Sequence, residues 1–135
     1  MTIRSATPAD VPAVLALWQR ERSAAALMPD TEDALARVIA AGALLVAERD
    51  DRLAGTLIAG FDGWRGNLYR LVVEPSDRRL GIGRELVRRG EQRLRELGAP
   101  RVTALVGVEE GEAAAFWAAT GYAFDPRISR YVRNI

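Results

Sequence analysis

The stretch Glu74–Arg89, EPSDRRLGIGRELVRR, places two glycines one residue apart, Gly81 and Gly83, among arginines. The run before it, Leu68–Val73 (LYRLVV), is strongly β-prone and predicts a strand. The run after it predicts a helix over about 81–97, stopped by Gly98 and Pro100. Gly83, Leu86, Val87, Gly90, Leu94 and Leu97 fall on one face of that helix. A glycine-rich junction from strand to helix is either a turn device or a place where backbone amides approach a phosphate.

Upstream, TIRSA reads as a first strand and TPADVPAVLALWQRER as a helix. Thr7 suits the N-cap, Pro8 the first helical position, and Asp10 completes a capping box. A second helix is expected over about Thr31–Ala41, closed by Gly42. ALLVAERDDRLAGTLIAGF reads as a hairpin, with strands Leu44–Glu48 and Leu53–Phe61 around RDDR. DGWRG (Asp62–Gly66) turns the chain into the Leu68–Val73 strand. Downstream, RVTALVGV is a strand, GEAAAFWAATG a helix closed by Gly121, and YAFD and SRYVRN are late short strands. The order β-α-α-β-β-β-α-β-α-β-β implies a mixed sheet with helices on both faces. No repeat or linker interrupts it, so residues 1–135 are expected to form a single domain.

Composition narrows the chemistry. The 135 residues include no Cys and no His, which removes disulfides, thiolate nucleophiles, Ser-His pairs and the usual zinc sites. Any general base is then a carboxylate, an ordered water, a tyrosinate or the N-terminal amine. The formal charge of +1 gives no polyanion-binding character, so nucleic acid is not an expected partner. No apolar run nears the roughly 18 residues of a membrane span, and the start lacks a signal-peptide core, so a cytoplasmic location is the expectation. All 19 basic residues are Arg. Eight of them lie between Arg78 and Arg101, against three acids, Glu85, Glu91 and Glu96. That local patch suits a small polyphosphate. The plainer reading is a solvated helix face with pairs such as Glu85–Arg89 and Glu91–Arg95.

Three phosphate-binding templates can be tested against the junction. The Walker loop needs a Lys, and there is none. The dinucleotide fingerprint needs a third glycine where Leu86 stands. The third pattern, V-x-P-x-x-R-x-x-G-x-G between strand and helix, fits through Val73, Pro75, Arg78, Gly81 and Gly83. This closely resembles the GNAT N-acetyltransferase family, and the likeness extends over nearly the whole chain. IRSATPADVPAVLALW looks like the family's first strand and helix, LLVAERDDRLAGTLIAG like its hairpin, and AAAFWAATGY like its late helix and the strand after it.

The resemblance implies an α/β (α+β) GNAT-like fold, its mostly antiparallel sheet splayed between Leu68–Val73 and Val102–Val106. It implies acetyl transfer from acetyl-CoA to a primary amine, without a metal. The backbone N–H groups of Arg79, Leu80, Gly81, Ile82, Gly83 and Arg84 would cradle the CoA pyrophosphate. Arg78 would open and stabilise the loop, and Arg79, Arg84 or Arg88 would reach outlying phosphates. The backbone of Leu71, Val72 and Val73 would pair with the pantetheine arm and hold the developing oxyanion. The family's proton donor, a Tyr four residues before the late Gly, is here Trp117, whose indole is no useful acid. Trp117 is instead expected to pack against the cofactor or the core.

Other candidates are less marked. Tyr69 shares strand parity with Leu71 and Val73, which places it toward the same cleft. Asp62 either deprotonates an amine or caps its turn. Glu109 and Glu110 are positioned to hold a cationic acceptor, Tyr131 to line its pocket, and Trp64 and Arg65 to touch it at a hairpin tip. Late strands would suit a homodimer. Two further readings stay open: a GNAT-shaped acyl-CoA sensor without turnover, and, less well matched, a nucleotide-binding regulatory domain.

Overall fold

The computed structural model describes residues 1–21, 29–107 and 111–135. Among these, five strands form one sheet in the order β1 (Thr2–Ser5), β2 (Leu44–Arg49), β3 (Arg52–Phe61), β4 (Gly66–Val73) and β5 (Val102–Ala104). The first three pairings are antiparallel and β4–β5 is parallel. Two helices, α1 (Val11–Arg20) and α2 (Glu32–Ala40), cover one face. Two more, α3 (Ile82–Glu96) and α4 (Gly111–Ala119), cover the other. None of these helices is long and apolar enough to cross a membrane.

Local chemistry explains the helix starts. Asp10 Oδ2 accepts the Thr7 N–H at 2.7 Å ahead of α1, and Arg4 forks onto the same carboxylate with two bonds of 2.8 Å. At α2, Thr31 Oγ1 accepts the Ala34 N–H at 3.1 Å. The Thr31 cap is thus formed, and of the Thr7–Asp10 capping box the half in which Asp10 accepts the Thr7 N–H.

Both faces of β2 and β3 are buried, so these strands read as continuous apolar runs. On the α1/α2 face, Val14, Leu17, Trp18 and Leu35 pack on Leu44, Val46 and Ile58. On the other face, Ile82, Leu86, Val87 and Leu94 pack on Leu45, Leu57 and Leu68. Gly90 sets the depth of that contact. A Cβ there would stand 2.9 Å from Leu57 Cδ2 and 3.0 Å from Leu68 Cδ2, closer than packed carbon atoms sit.

Three expectations need correction. Leu97 does not share the buried face of α3 but is exposed, because the helix closes at Glu96. The strand expected from RVTALVGV is three residues long. The late strands YAFD and SRYVRN do not form, and the tail carries Phe124, Ile128, Tyr131, Val132 and Ile135 exposed. A turn at Asp125–Arg127, closed by the Arg127 N–H and guanidinium on Asp125, interrupts the tail. The short β5 offers it little edge to pair with.

Candidate functional site

The sheet opens where β4 outruns β5. Their pairing covers only Gly66↔Val102, Asn67↔Thr103 and Leu68↔Ala104, followed by a bond of 3.0 Å from Leu105 N–H to the Leu68 carbonyl. Beyond this β4 continues to Val73, paired with β3 alone among the described residues. The expected splay is this gap. Its position at the C-terminal ends of two parallel strands is where open α/β sheets bind ligands.

The direction of each amide along the gap follows from one bond. Glu74 N–H donates to the Ala54 carbonyl on β3 at 2.8 Å. Antiparallel pairing alternates, so Val72, opposite Thr56, also turns its N–H and C=O toward β3. Leu71 and Val73 turn theirs into the gap. Of the three backbones expected to meet the pantetheine arm, Leu71 and the N–H of Val73 are thus available, whereas the Val73 carbonyl accepts from Arg78 Nε and Val72 is engaged with β3.

A bulge interrupts β4 inside the gap. Arg70 and Leu71 together oppose one residue of β3, and Arg70 has φ 55°. Left-handed backbone in a non-glycine strand residue persists only where the surroundings hold it. Here Thr56, fully buried, does the holding: its hydroxyl donates to the Arg70 carbonyl at 3.0 Å and accepts the Trp18 indole N–H at 2.9 Å. The Arg70 side chain lies over the Trp18 ring, 5.0 Å from its centroid, and pairs with Asp30.

The bulge also overturns the expected parity of Tyr69. Leu71 and Val73 pack with the α3/α4 face, while Tyr69 packs with Val72 on the α1/α2 face. The extra residue shifts the alternation by one. Tyr69 therefore lies on the face opposite the glycine loop, its ring reaching back over β3, where a Cβ at Gly60 would stand 3.6 Å from its hydroxyl.

That loop follows a short 3-10 turn, Pro75–Asp77. Arg79 has φ 65° and Gly81 φ 83°, and Gly81 is the N-cap of α3. The first N–H groups of α3 have no acceptor within the helix and, with the helix dipole, form an anion cradle. Gly81 is present for conformation: a Cβ there would meet nothing within 4 Å. Gly83 faces side chains instead: its Cβ would meet the Phe116 ring at 3.4 Å and Val73 at 3.7 Å, contact distances that leave room for a methyl but not for a large side chain.

The arginines divide by task. Arg78 turns back on the chain, donating from Nε to the Val73 carbonyl at 3.2 Å and pairing with Glu21 at 3.0 Å. It staples the loop. Arg88 pairs with Glu85 one turn away on the exposed side of α3, a solvated pair. Arg93 donates to the carbonyls of Ala59 and Ala41, tying α3 to the sheet and to the end of α2. Arg79 and Arg84 are exposed beside the loop.

Several other candidates lie elsewhere. Asp62 Oδ1 accepts the Trp64 and Arg65 N–H groups, both at 2.7 Å, and caps its turn. Those amides, Arg65's foremost, hold its carboxyl below the usual range, which makes it a poor base. It also sits with Trp64 and Arg65 beyond the N-terminal end of β4. At about 3.3 Å per residue, Leu71 is more than 15 Å further along. Tyr131 lines no pocket, being 93% exposed on the tail. Glu109 and Glu110 lie outside the described residues.

Trp117 is a core residue, edge-on to Phe116 and Tyr122 with ring centroids at 5.4 and 5.0 Å. Its neighbour Phe116 is the ring that faces Gly83. Tyr122 donates to Glu91 at 2.7 Å, and burial followed by that bond raises its hydroxyl above the ordinary range, so it is no acid for the gap. Sequence reasoning missed Thr56, Asp77, Arg70 and Phe116. Only Phe116, next to Trp117 on a helix already singled out, carried any signal.

The same arrangement recurs in known proteins. An acetyltransferase of Pectobacterium atrosepticum is 34% identical over 110 residues, 78% of this chain and 76% of the relative. The structure of Rv2747 from Mycobacterium tuberculosis, solved in complex with CoA and NLQ, superposes with a TM-score of 0.70. It is 25% identical, with 86% of this chain and 70% of that one covered. A ribosomal-protein-alanine N-acetyltransferase of Brucella melitensis gives a TM-score of 0.74 at 27% identity, over 90% of this chain and 83% of that one. A model of the acetyltransferase (GNAT) family matches residues 11–122. That span runs from the first helix through the splayed strands and the glycine loop to the late helix, and the chain belongs to the GNAT acetyltransferase family.

Proposed function

We propose that the protein transfers the acetyl group of acetyl-CoA directly to a primary amine. The observation that carries this is the loop at the start of α3, opening beside the unpaired β4 edge. An anion cradle and a row of free strand amides meet there, and a diphosphate attached to an amide-bearing arm needs both. The CoA in the Rv2747 complex supports the donor, and the Brucella enzyme's name supports an amine acceptor.

The geometry supports the following roles. The loop amides from Arg79 to Arg84 take the pyrophosphate. The Leu71 and Val73 N–H groups take the arm, and one of them takes the oxygen that becomes negative as the amine attacks. Acetyl-CoA supplies an activated thioester; a C–N bond forms, the C–S bond breaks, and the amine's surplus proton ends on the departing sulfur or in water. A thiol with a pKa of about 8.5 leaves tolerably as thiolate, so the burial of Trp117 does not bar turnover. Tyr69 is the proton carrier we assign, as the tyrosine that directly follows Leu68, where the β4–β5 pairing ends; its ring would have to turn from Gly60 toward the gap. A Tyr69→Phe variant is expected to lose at least tenfold in kcat with an unchanged KM for acetyl-CoA. Full turnover would remove Tyr69 from the mechanism.

The experiment for the whole reading is calorimetry with acetyl-CoA, then CoA release with a panel of primary amines. Wild type is expected to bind and Gly83→Trp to lose binding, since an indole there would collide with Phe116 and Val73. No binding to wild type would sink the reading. Binding without turnover on any amine would favour an acyl-CoA sensor, the reading that the loss of the family's Tyr at position 117 supports.

A homodimer belongs to the same proposal. The outer edge of β5 and the exposed apolar residues of the tail lie at one end of the chain order, and a second copy would cover them. Light scattering at tens of micromolar is expected to give twice the monomer mass. A monomer mass would remove it.

A further inference from the structure

Asp77 is the last residue of the 3-10 turn and stands directly before the loop. Its side chain is 0% exposed. Buried carboxylates are rare without partners, and this one has two. Arg52 donates to it twice, at 2.5 and 2.8 Å, and Arg49 once, at 2.9 Å. Both arginines come from the β2–β3 turn, far away in sequence.

The turn explains why both point the same way. Asp50 and Asp51 have φ 53° and 57°, the two-residue hairpin geometry in which both central residues are left-handed. That geometry makes Arg49 and Arg52 a directly opposed cross-strand pair. Opposed side chains share a face, and two like charges so placed repel. Asp77 sits between the two guanidiniums and offsets that repulsion, with Asp50 3.9 Å from Arg49 as a further carboxylate. The turn residues thus serve a purpose beyond reversing the chain: they hold two guanidiniums against the root of the loop.

The rest of the 74–78 segment is tied from the other side. Arg20 at the end of α1 pairs with Glu74 at 2.8 Å, and Arg78 reaches Glu21. Asp77 N–H itself returns to the Glu74 carbonyl at 2.8 Å. Arg49 and Arg52 reach Asp77 from the surface, 39% and 44% exposed, but of the carboxylates in these ties only that of Asp77 is fully removed from water. Charged hydrogen bonds gain most there, and loss of one partner is least tolerated.

We propose that Asp77, clamped by Arg49 and Arg52, is the positioning residue of the pyrophosphate loop, fixing the path from β4 into α3 so that the loop amides converge on the donor's diphosphate. It touches no substrate atom and acts through the loop. The inference rests on the acetyl-CoA reading given above. It assigns a function in donor binding to a hairpin turn that lies outside the loop motif.

The test compares two donors, acetyl-CoA and S-acetylpantetheine, which lacks the diphosphate, in wild type, Asp77→Asn and Arg49→Gln/Arg52→Gln. The clamp variants are expected to raise the KM for acetyl-CoA at least tenfold. Their kcat, and their kcat/KM for S-acetylpantetheine, should stay within threefold of wild type. A role in stability alone would depress both donors together or neither, and either result would overturn the proposal. Should Asp77→Asn or the double variant fail to fold, Arg49→Gln alone, which leaves the carboxylate its two bonds from Arg52, carries the same comparison. If wild type binds no acetyl-CoA, the functional reading fails first and is seen to fail before any variant is measured.

Discussion

Gly81→Val is expected to weaken acetyl-CoA binding at least tenfold, and Gly81→Asn to leave it within about threefold. The two variants separate conformation from space. No atom lies within 4 Å of a Cβ at this position, so neither side chain clashes. What differs is the backbone. At φ 83° a non-glycine residue pays about 1–2 kcal/mol, more if β-branched, while Asn tolerates the region. Valine is relieved by rotating the peptide out of the left-handed region. That swings the N–H groups at the start of α3 off their common focus, and a tenfold loss corresponds to about 1.4 kcal/mol. Calorimetry reads the affinity and circular dichroism checks that α3 persists. Equal binding by both variants would show that the left-handed turn has no part in holding the donor.

Thr56→Val should cost both stability and rate, and Thr56→Ser should restore both. Valine matches threonine in shape, so no cavity forms. It leaves the Trp18 indole N–H and the Arg70 carbonyl without the hydroxyl that now serves both. A buried group deprived of its partner costs about 1–3 kcal/mol, and two of them lower the melting temperature by roughly 8–15 °C in a chain of this size. The catalytic consequence comes through the bulge. Releasing its carbonyl removes the backbone bond that holds Arg70 at φ 55°, leaving only its side-chain ties to Trp18 and Asp30. If the bulge relaxes, β4 slips by one residue and the Leu71 N–H leaves the gap, so kcat should fall tenfold or more. Thermal unfolding and steady-state rates with acetyl-CoA measure the two effects. A destabilised Thr56→Val variant with normal kcat would mean that packing, not this hydroxyl, sets the bulge.

Helices, strands and the glycine loop were legible in the sequence because their causes are local. Asp10 and Thr31 accept the amides they were expected to accept, although the Thr7 side chain accepts none and a 3-10 turn precedes α1, and the apolar spacing from Leu86 to Leu94 puts those side chains in the core. The failures share a cause too. Tyr69 changed faces because a bulge depends on Thr56 and Trp18, residues of two other elements. Asp62 resembled a base at a strand end, but its turn amides claim its carboxylate. The tail has strand-like composition and forms no strand, since a strand exists only where an edge is offered.

By itself, then, the sequence determined the element order as far as the late helix, the chemistry excluded by the absence of Cys and His, and the glycine loop between β4 and α3. Those depend on residue type and on spacing within a few positions. The tertiary structure alone decided which β4 amides face the gap, that Trp117 belongs to the core, and that Asp77 answers to Arg49 and Arg52. Each of these is a hydrogen bond or a packing contact between segments remote in the chain. Its geometry depends on how the sheet twists and where it bulges, and no local pattern encodes that.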